Sequence, residues 1–139
     1  DLVNRKLVMD GGAALASLMA DIRAGAGGEA ALLNLASAVE NAAQHLLAEG
    51  ISIDDRLAAS APFLRMLAVL VCGWLMAVQA REAARRLDAG EGDPVFLKAK
   101  QVTARFYIDQ IVPQAQGFAA AALASAEILY ALDEDALAE

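Results

Sequence analysis

Apolar residues recur along this chain at helical rather than strand intervals, with short polar or glycine-rich breaks between the runs. Asp10-Gly11-Gly12 divides an opening segment, Asp1 to Met9, from a helical pattern starting near Ala13. The opening segment mixes Arg5 and Lys6 with Leu2, Val3, Leu7 and Val8, and reads as a turn of helix or an extended arm. In the next run Leu15, Leu18 or Met19, and Ile22 share one face, and Gly25, Gly27 and Gly28 end it. A second helix is predicted from about Glu29 to Glu49. There Leu32, Ala36, Val39, Ala43 and Leu46 recur at spacings of 4, 3, 4 and 3, the seam of a helix packed in a bundle, and Gly50 stops it.

Asp54 is a natural N-cap for a third helix. Its first turn, near Asp55 to Ala59, is expected to reset at Pro62, a residue tolerated at a first helical position. Phe63 to Leu87 then continues without a break. Leu64, Leu67, Val71, Trp74 and Val78 line one face and Phe63, Met66, Leu70 and Ala77 another, which implies at least two neighbouring helices. Arg81, Glu82, Arg85 and Arg86 make its end polar and suit the helix dipole. Asp88 to Gly92 is a loop, and Asp93-Pro94 is the clearest helix start in the chain. Val95, Ala99, Val102 and Phe106 form the expected seam of this fourth helix. Pro113 must kink or split it, and Ala115, Phe118, Ala122 and Leu129 resume the seam. The acidic end, Asp133, Glu134, Asp135 and Glu139, is badly placed for a helix dipole and is expected to fray. The pattern predicts an all-α, up-and-down bundle of four to five helices forming one domain over 1–139, with 1–12 as an arm and turn leading in.

Composition narrows the possibilities further. Of 139 residues 58% are apolar, but 34 are alanine and 20 leucine while aromatics are 5%, which favours helices with close, Ala-lined contacts over sheet. Eleven basic against 18 acidic residues leave a net charge of −7, unsuited to nucleic acid or anionic lipid. One cysteine and one histidine exclude an internal disulfide or a Cys/His zinc cluster. No basic segment leads into an apolar run at the start, so no signal peptide is expected. Met66 to Ala80 is uncharged for 15 residues, short of the ~20 that a membrane helix needs. Gln110 to Ala126 is interrupted by glutamines and Pro113, so no membrane span is expected.

The residues that could carry chemistry do not converge. His45 has no partner at helical spacing except Glu49 and reads as a partly exposed surface residue. Cys72, inside the apolar helix beside Gly73, reads as buried and inert. The Gly25–Gly28 stretch lacks the strand and Lys-Ser/Thr of a phosphate loop. Arg81, Arg85 and Arg86 could hold an anion, but a solvated helix end complementing its dipole is the stronger reading. Arg105, among Lys98, Lys100, Tyr107 and Asp109, lies near the apolar stripe; it calls for an ion-pair partner, or for another domain to dock against. These residues support no catalytic, cofactor-binding or metal-binding set.

Three stretches nevertheless have a familiar order. They are Asp1-Leu2-Val3-Asn4-Arg5-Lys6-Leu7-Val8-Met9-Asp10-Gly11-Gly12; Phe63-Leu64-Arg65 through Trp74 and Gln79-Ala80; and Phe96-Leu97-Lys98-Ala99-Lys100 with Thr103-Ala104-Arg105-Phe106-Tyr107 and Pro113-Gln114-Ala115. Together they resemble, over essentially the whole chain, the C-terminal helical domain of long bacterial acyl-CoA dehydrogenases, the acetyl-CoA dehydrogenase-like C-terminal domain. Val8 departs from the resemblance, since the family often has proline there.

The resemblance implies a parent flavoenzyme in which a carboxylate takes the α-proton of an acyl-CoA thioester while the β-hydrogen passes to FAD as hydride. That carboxylate is expected on a Tyr-Glu-Gly-Thr stretch ahead of Asp1, so no catalytic or flavin-binding residue carries over to this sequence. The abrupt start at Asp1 fits a fragment. It implies an accessory role with no active site of its own, bracing the catalytic domains or a subunit interface. The expected partners are the rest of the dehydrogenase chain, a further copy in a homo-oligomer and, through the parent, acyl-CoA. The resemblance further implies a cytoplasmic setting, with fatty-acid metabolism as the context. Arg5, Lys6 and Arg105 are the candidates for interdomain contact. A free-standing helical adaptor is the alternative, and a small ligand carrier a weaker one.

Overall fold

The computed structural model describes residues 1–132 and 136, and among them the fold is all-helical. Helix α1 spans Ala13–Gly25, α2 Ala30–Leu47, α3 Ile53–Asp88 and α4 Pro94–Phe106. A wide π turn, Tyr107–Ile111, then joins α4 to two short helices, α5 (Val112–Ala115) and α6 (Ala119–Leu123), with a tighter turn at Gln116–Phe118 between them. The chain from Pro94 to Leu123 is thus one irregular rod packed along α3. Short loops reverse direction between α1, α2, α3 and the rod, which is the expected bundle.

The opening segment is the helical one of its two readings. Leu2–Leu7 is a π turn whose Val3 and Leu7 are buried, so it belongs to the core rather than standing off as an arm. Asp10 then caps α1 with its side chain, accepting from the N–H of Gly12 (3.0 Å) and of Ala14 (2.9 Å). Gly12 sits between them at φ +87°, a left-handed backbone conformation that favours glycine.

Helix α2 follows its sequence pattern: Leu32, Ala36, Val39, Ala43 and Leu46 are all buried. Helix α3 does not break at Pro62. It runs for 36 residues, because Ala59 and Phe63 on either side are buried and hold both turns in place against the lost N–H. Its cap is Ser52, whose Oγ accepts from Asp55 N–H at 3.0 Å, and not Asp54. Asp55 instead accepts the backbone N–H of Ala126 at 2.7 Å, fastening the first turn of α3 to the far end of the chain. That bond and the Ser52 hydroxyl hold its carboxyl below its usual range.

Continuity also changes the membrane argument. At 36 residues α3 is the one helix among the described residues long and apolar enough to cross a bilayer, with a window of mean hydropathy 1.9. Only a third of that window is buried. Phe63, Met66, Leu70 and Ala77 form its core face as expected, joined by Ala59 and Gly73. The second expected face is only half covered: Leu67, Val71 and Trp74 pack against the core, while Leu64 and Val78 are exposed.

The fourth seam is a correction. Val95, Val102 and Phe106 are 77%, 69% and 60% exposed, and Ala99 is exposed with them. The residues that bury are Leu97, Ala104 and Ile108, on the opposite side of α4. The helical period holds but the bulkier stripe faces outward; α4 lies so close to α3 that the narrow Ala104 side fits instead. Asp93 caps α4 as expected, accepting from Val95 N–H at 2.9 Å. Pro113 is accommodated by the preceding π turn, and Ala115 and Ala122 are buried as anticipated. Leu129, expected to continue that seam, is 65% exposed because the helix ends at Leu123 and a short 3-10 turn replaces it. The acidic end at 133–135 and 139 lies outside the described residues.

Candidate functional site

Three features could serve a function: a polar cleft, an apolar hollow and the outward apolar stripes. The cleft, about 380 Å³, opens where the α1–α2 loop meets α3 and α4. Ala77, Ala80, Ala84 and Ala104 make its walls small and apolar, and Arg81, Arg105 and Glu29 stand around it. Arg105 comes off the last turn of α4. It holds Asp109, one turn on, at 2.6 and 2.8 Å, and also reaches Glu29 at the start of α2 at 3.0 and 3.1 Å. These bonds, first that to Asp109, raise its pKa. The demand for a partner is thus met within the domain by two carboxylates. Local spacing shows Asp109; nothing in the sequence marks Glu29, 76 residues away.

Arg81, Arg85 and Arg86 are also engaged. Arg81 donates to the carbonyl of Gly25 and so satisfies the C-terminal end of α1. Arg85 pairs with Glu82 (2.9 Å) and Glu91 (3.1 Å), and Arg86 with Glu82 (2.7 Å). Two guanidiniums on one carboxylate hold Glu82 down to about 2. Protein groups therefore occupy the donors that an anion would need. Beside Arg81, the indole Nε1 of Trp74 is buried against Gly25 and finds no acceptor among the described residues.

The hollow, about 220 Å³, lies between the N-terminal π turn, α1 and α3, lined by Leu2, Leu7, Leu15, Leu18, Phe63 and Leu67. Lys6 stands at its edge and Arg5 lies outside, paired with Asp1 at 2.6 Å. Arg5, Lys6 and Arg105 are all exposed, the first two at the N-terminal turn and the last at the cleft; the fold does not bring the three into one site. His45 is half-buried near the end of α2. Cys72, expected to be buried, is exposed: the core face of α3 passes through Gly73 and leaves its neighbour at the margin. Its thiol meets the Tyr107 phenol, whose pKa is raised by burial first and by Cys72 second. Among the described residues no group of three potential ligands could hold a metal.

The outward apolar stripe of α4 is the third feature. On α4, Val95, Ala99, Val102 and Phe106 face outward in register, with Phe96 beside them under Lys100, whose ammonium lies 5.4 Å from the ring centre. Contiguous exposed apolar surface of this kind marks a place where another surface belongs. Residues 12–133 match the family model described as acetyl-CoA dehydrogenase C-terminal like. No match is found among curated proteins. With the family match covering most of its length and an all-helical fold around it, the chain belongs to the acetyl-CoA dehydrogenase C-terminal-like family.

Proposed function

We propose that this chain is the accessory C-terminal domain of an FAD-dependent acyl-CoA dehydrogenase, bracing the catalytic part of that enzyme. The outward stripe of α4 carries the reading: helical spacing has kept Val95, Ala99, Val102 and Phe106 on one face, yet nothing among the described residues covers them. A domain that docks needs such a face, and a free-standing one loses solubility by it.

The described residues do not fit a flavin dinucleotide. The cleft is near the lower end of ligand-site volumes. Its guanidiniums are held by Asp109, Glu29 and the Gly25 carbonyl, and the Glu29 carboxylate would repel a pyrophosphate. Flavin, acyl-CoA and the α,β-dehydrogenation accordingly belong to polypeptide that precedes this domain. Cytoplasmic placement and a homo-oligomeric enzyme are part of the same proposal, as is contact of Arg5, Lys6 or Arg105 with the catalytic part.

The test is to express the catalytic part and this chain as two polypeptides. A one-to-one complex is expected, lost when Val102→Glu and Phe106→Glu are combined. Failure of the unaltered chain to associate overturns the reading and favours an independent adaptor. A yellow, flavin-loaded preparation of this chain alone, or thioester oxidation by it, overturns it equally.

A further inference from the structure

Helix α4 stands apart from the rest of the chain in charge. All 18 acidic residues lie outside it, whereas Lys98, Lys100 and Arg105 lie within it. In a chain of net charge −7 carboxylates are in excess, and the neighbouring arginines use them: Arg105 holds Asp109 and Glu29, and Arg86 holds Glu82. The two lysines do not. Lys98 has no carboxylate partner among the described residues, and Lys100 meets only neutral groups, Gln79 Oε1 at 3.4 Å and the Phe96 ring. Both are exposed, and both border the outward stripe. Lys98 follows Val95 by three residues and precedes Val102 by four, which sets it along one edge; Lys100 stands one turn past Phe96, at the other. The face is apolar along its middle and cationic at its margins.

We infer that the surface covering this stripe is apolar in its middle and carries carboxylates at its edges, placed to meet Lys98 and Lys100. The inference rests on the docking to the catalytic part proposed above and adds what that partner presents. Charge selects the occupant. A second α4 laid on the first in a two-fold contact would set lysines against lysines, with no carboxylate on either helix to answer them. An anionic bilayer would gain two ammoniums but would face the 18 carboxylates of the same small domain. A protein surface can place carboxylates opposite the two lysines alone. Arg105 adds little to the match, since its donors are already turned to Asp109 and Glu29. Ion pairs at the rim of an interface fix register and speed encounter, and salt weakens them.

The test uses the complete enzyme with Ala99→Cys, which puts one thiol in the middle of the stripe, and follows maleimide labelling at that position by mass spectrometry. With both lysines in place, labelling is expected to be slow in low salt. It should quicken as sodium chloride is raised to about 0.5 M, where the screening length shrinks to about 4 Å. Combining Lys98→Glu with Lys100→Glu should quicken it by about tenfold in low salt and reverse the salt response, and the paired Gln variants should fall between. Labelling with both lysines present that is as fast as in the isolated domain shows an uncovered stripe and overturns the docking together with this inference. Slow labelling that neither salt nor the lysine substitutions change leaves the docking standing and overturns the acidic margin alone. Slower labelling with the glutamates overturns it too. So does binding of the isolated domain to phosphatidylcholine–phosphatidylglycerol vesicles that the same substitutions abolish, which would assign the lysines to lipid.

Discussion

Gly73 sits where α3 crosses α2 and the start of α5, and the effect of adding one methyl group there can be worked out in advance. A Cβ at this position would lie 2.6 Å from Leu32 Cδ2 and 3.0 Å from Val112 Cγ2. Leu32 and Val112 are both fully buried, so neither can swing into solvent. Replacing glycine by alanine inside a helix gains about 1 kcal/mol of intrinsic propensity. Overpacking a filled core costs about 1–3 kcal/mol. Gly73→Ala should therefore be neutral to destabilising by about 2 kcal/mol despite its favourable propensity. Leu32→Ala alone should cost about 2–5 kcal/mol through the space it opens. In that background the nearest obstruction is gone, and Gly73→Ala should become stabilising, with its added methyl filling part of the void. The sign of the alanine effect thus reverses between backgrounds, a coupling of about 1–3 kcal/mol. Urea unfolding of the four proteins, with a common slope confirmed, measures it. Equal effects of Gly73→Ala in both backgrounds would refute the claim that the α2–α3 crossing is set by contact between these two residues.

Other substitutions follow the same logic. Trp74→Phe removes a buried donor without an acceptor, relief worth about 1–3 kcal/mol that offsets the lost packing. Its unfolding midpoint should move little, whereas Trp74→Ala should cost about 3–5 kcal/mol. Arg105→Ala breaks the pairs with Asp109 and Glu29, but at about half exposure this should cost under about 1 kcal/mol in urea titration of the isolated domain. Asp55→Asn should weaken the Ala126 link, and hydrogen exchange at the Ala126 amide should accelerate while amides inside α2 keep their protection. Glu82 stays charged in the fold down to about 2, against an ordinary value of 4.5. The unfolded chain therefore takes up the proton first, and this contribution is complete above pH 4.5 and lost as pH falls towards 2. The melting temperature of Glu82→Gln should consequently fall less steeply across that window than that of the unaltered chain.

Helix number, loop positions and most of the core were legible because one-sided burial imposes a period, as at Leu32 to Leu46. Caps with a strong local chemistry, Asp93-Pro94 above all, were legible for the same reason. Two kinds of information were not. Where both sides of a helix are apolar, periodicity cannot say which side its own chain covers, and that ambiguity misassigned Val95, Val102 and Phe106. Pairings across the fold, such as Arg105 with Glu29 or Asp55 with Ala126, leave no mark in local spacing. Cys72 was misplaced because one position on a helix separates a core residue, Gly73, from an exposed one.

The wide turn at Tyr107–Ile111 bears on how the rod tolerates change in length. Buried positions before it advance as Leu97, Ala104 and Ile108, and after it as Val112, Ala115 and Ala122; the steps from Ala104 to Ile108 and on to Val112 are both of four residues, one more than a strict three–four alternation allows. The turn absorbs that surplus. Deleting one residue within it would remove the surplus and leave a regular helix that keeps Val112 and Ala115 facing the core, whereas a deletion elsewhere in the rod would rotate everything downstream by about 100°. The rod therefore tolerates the loss of a residue at this point better than anywhere else along its length.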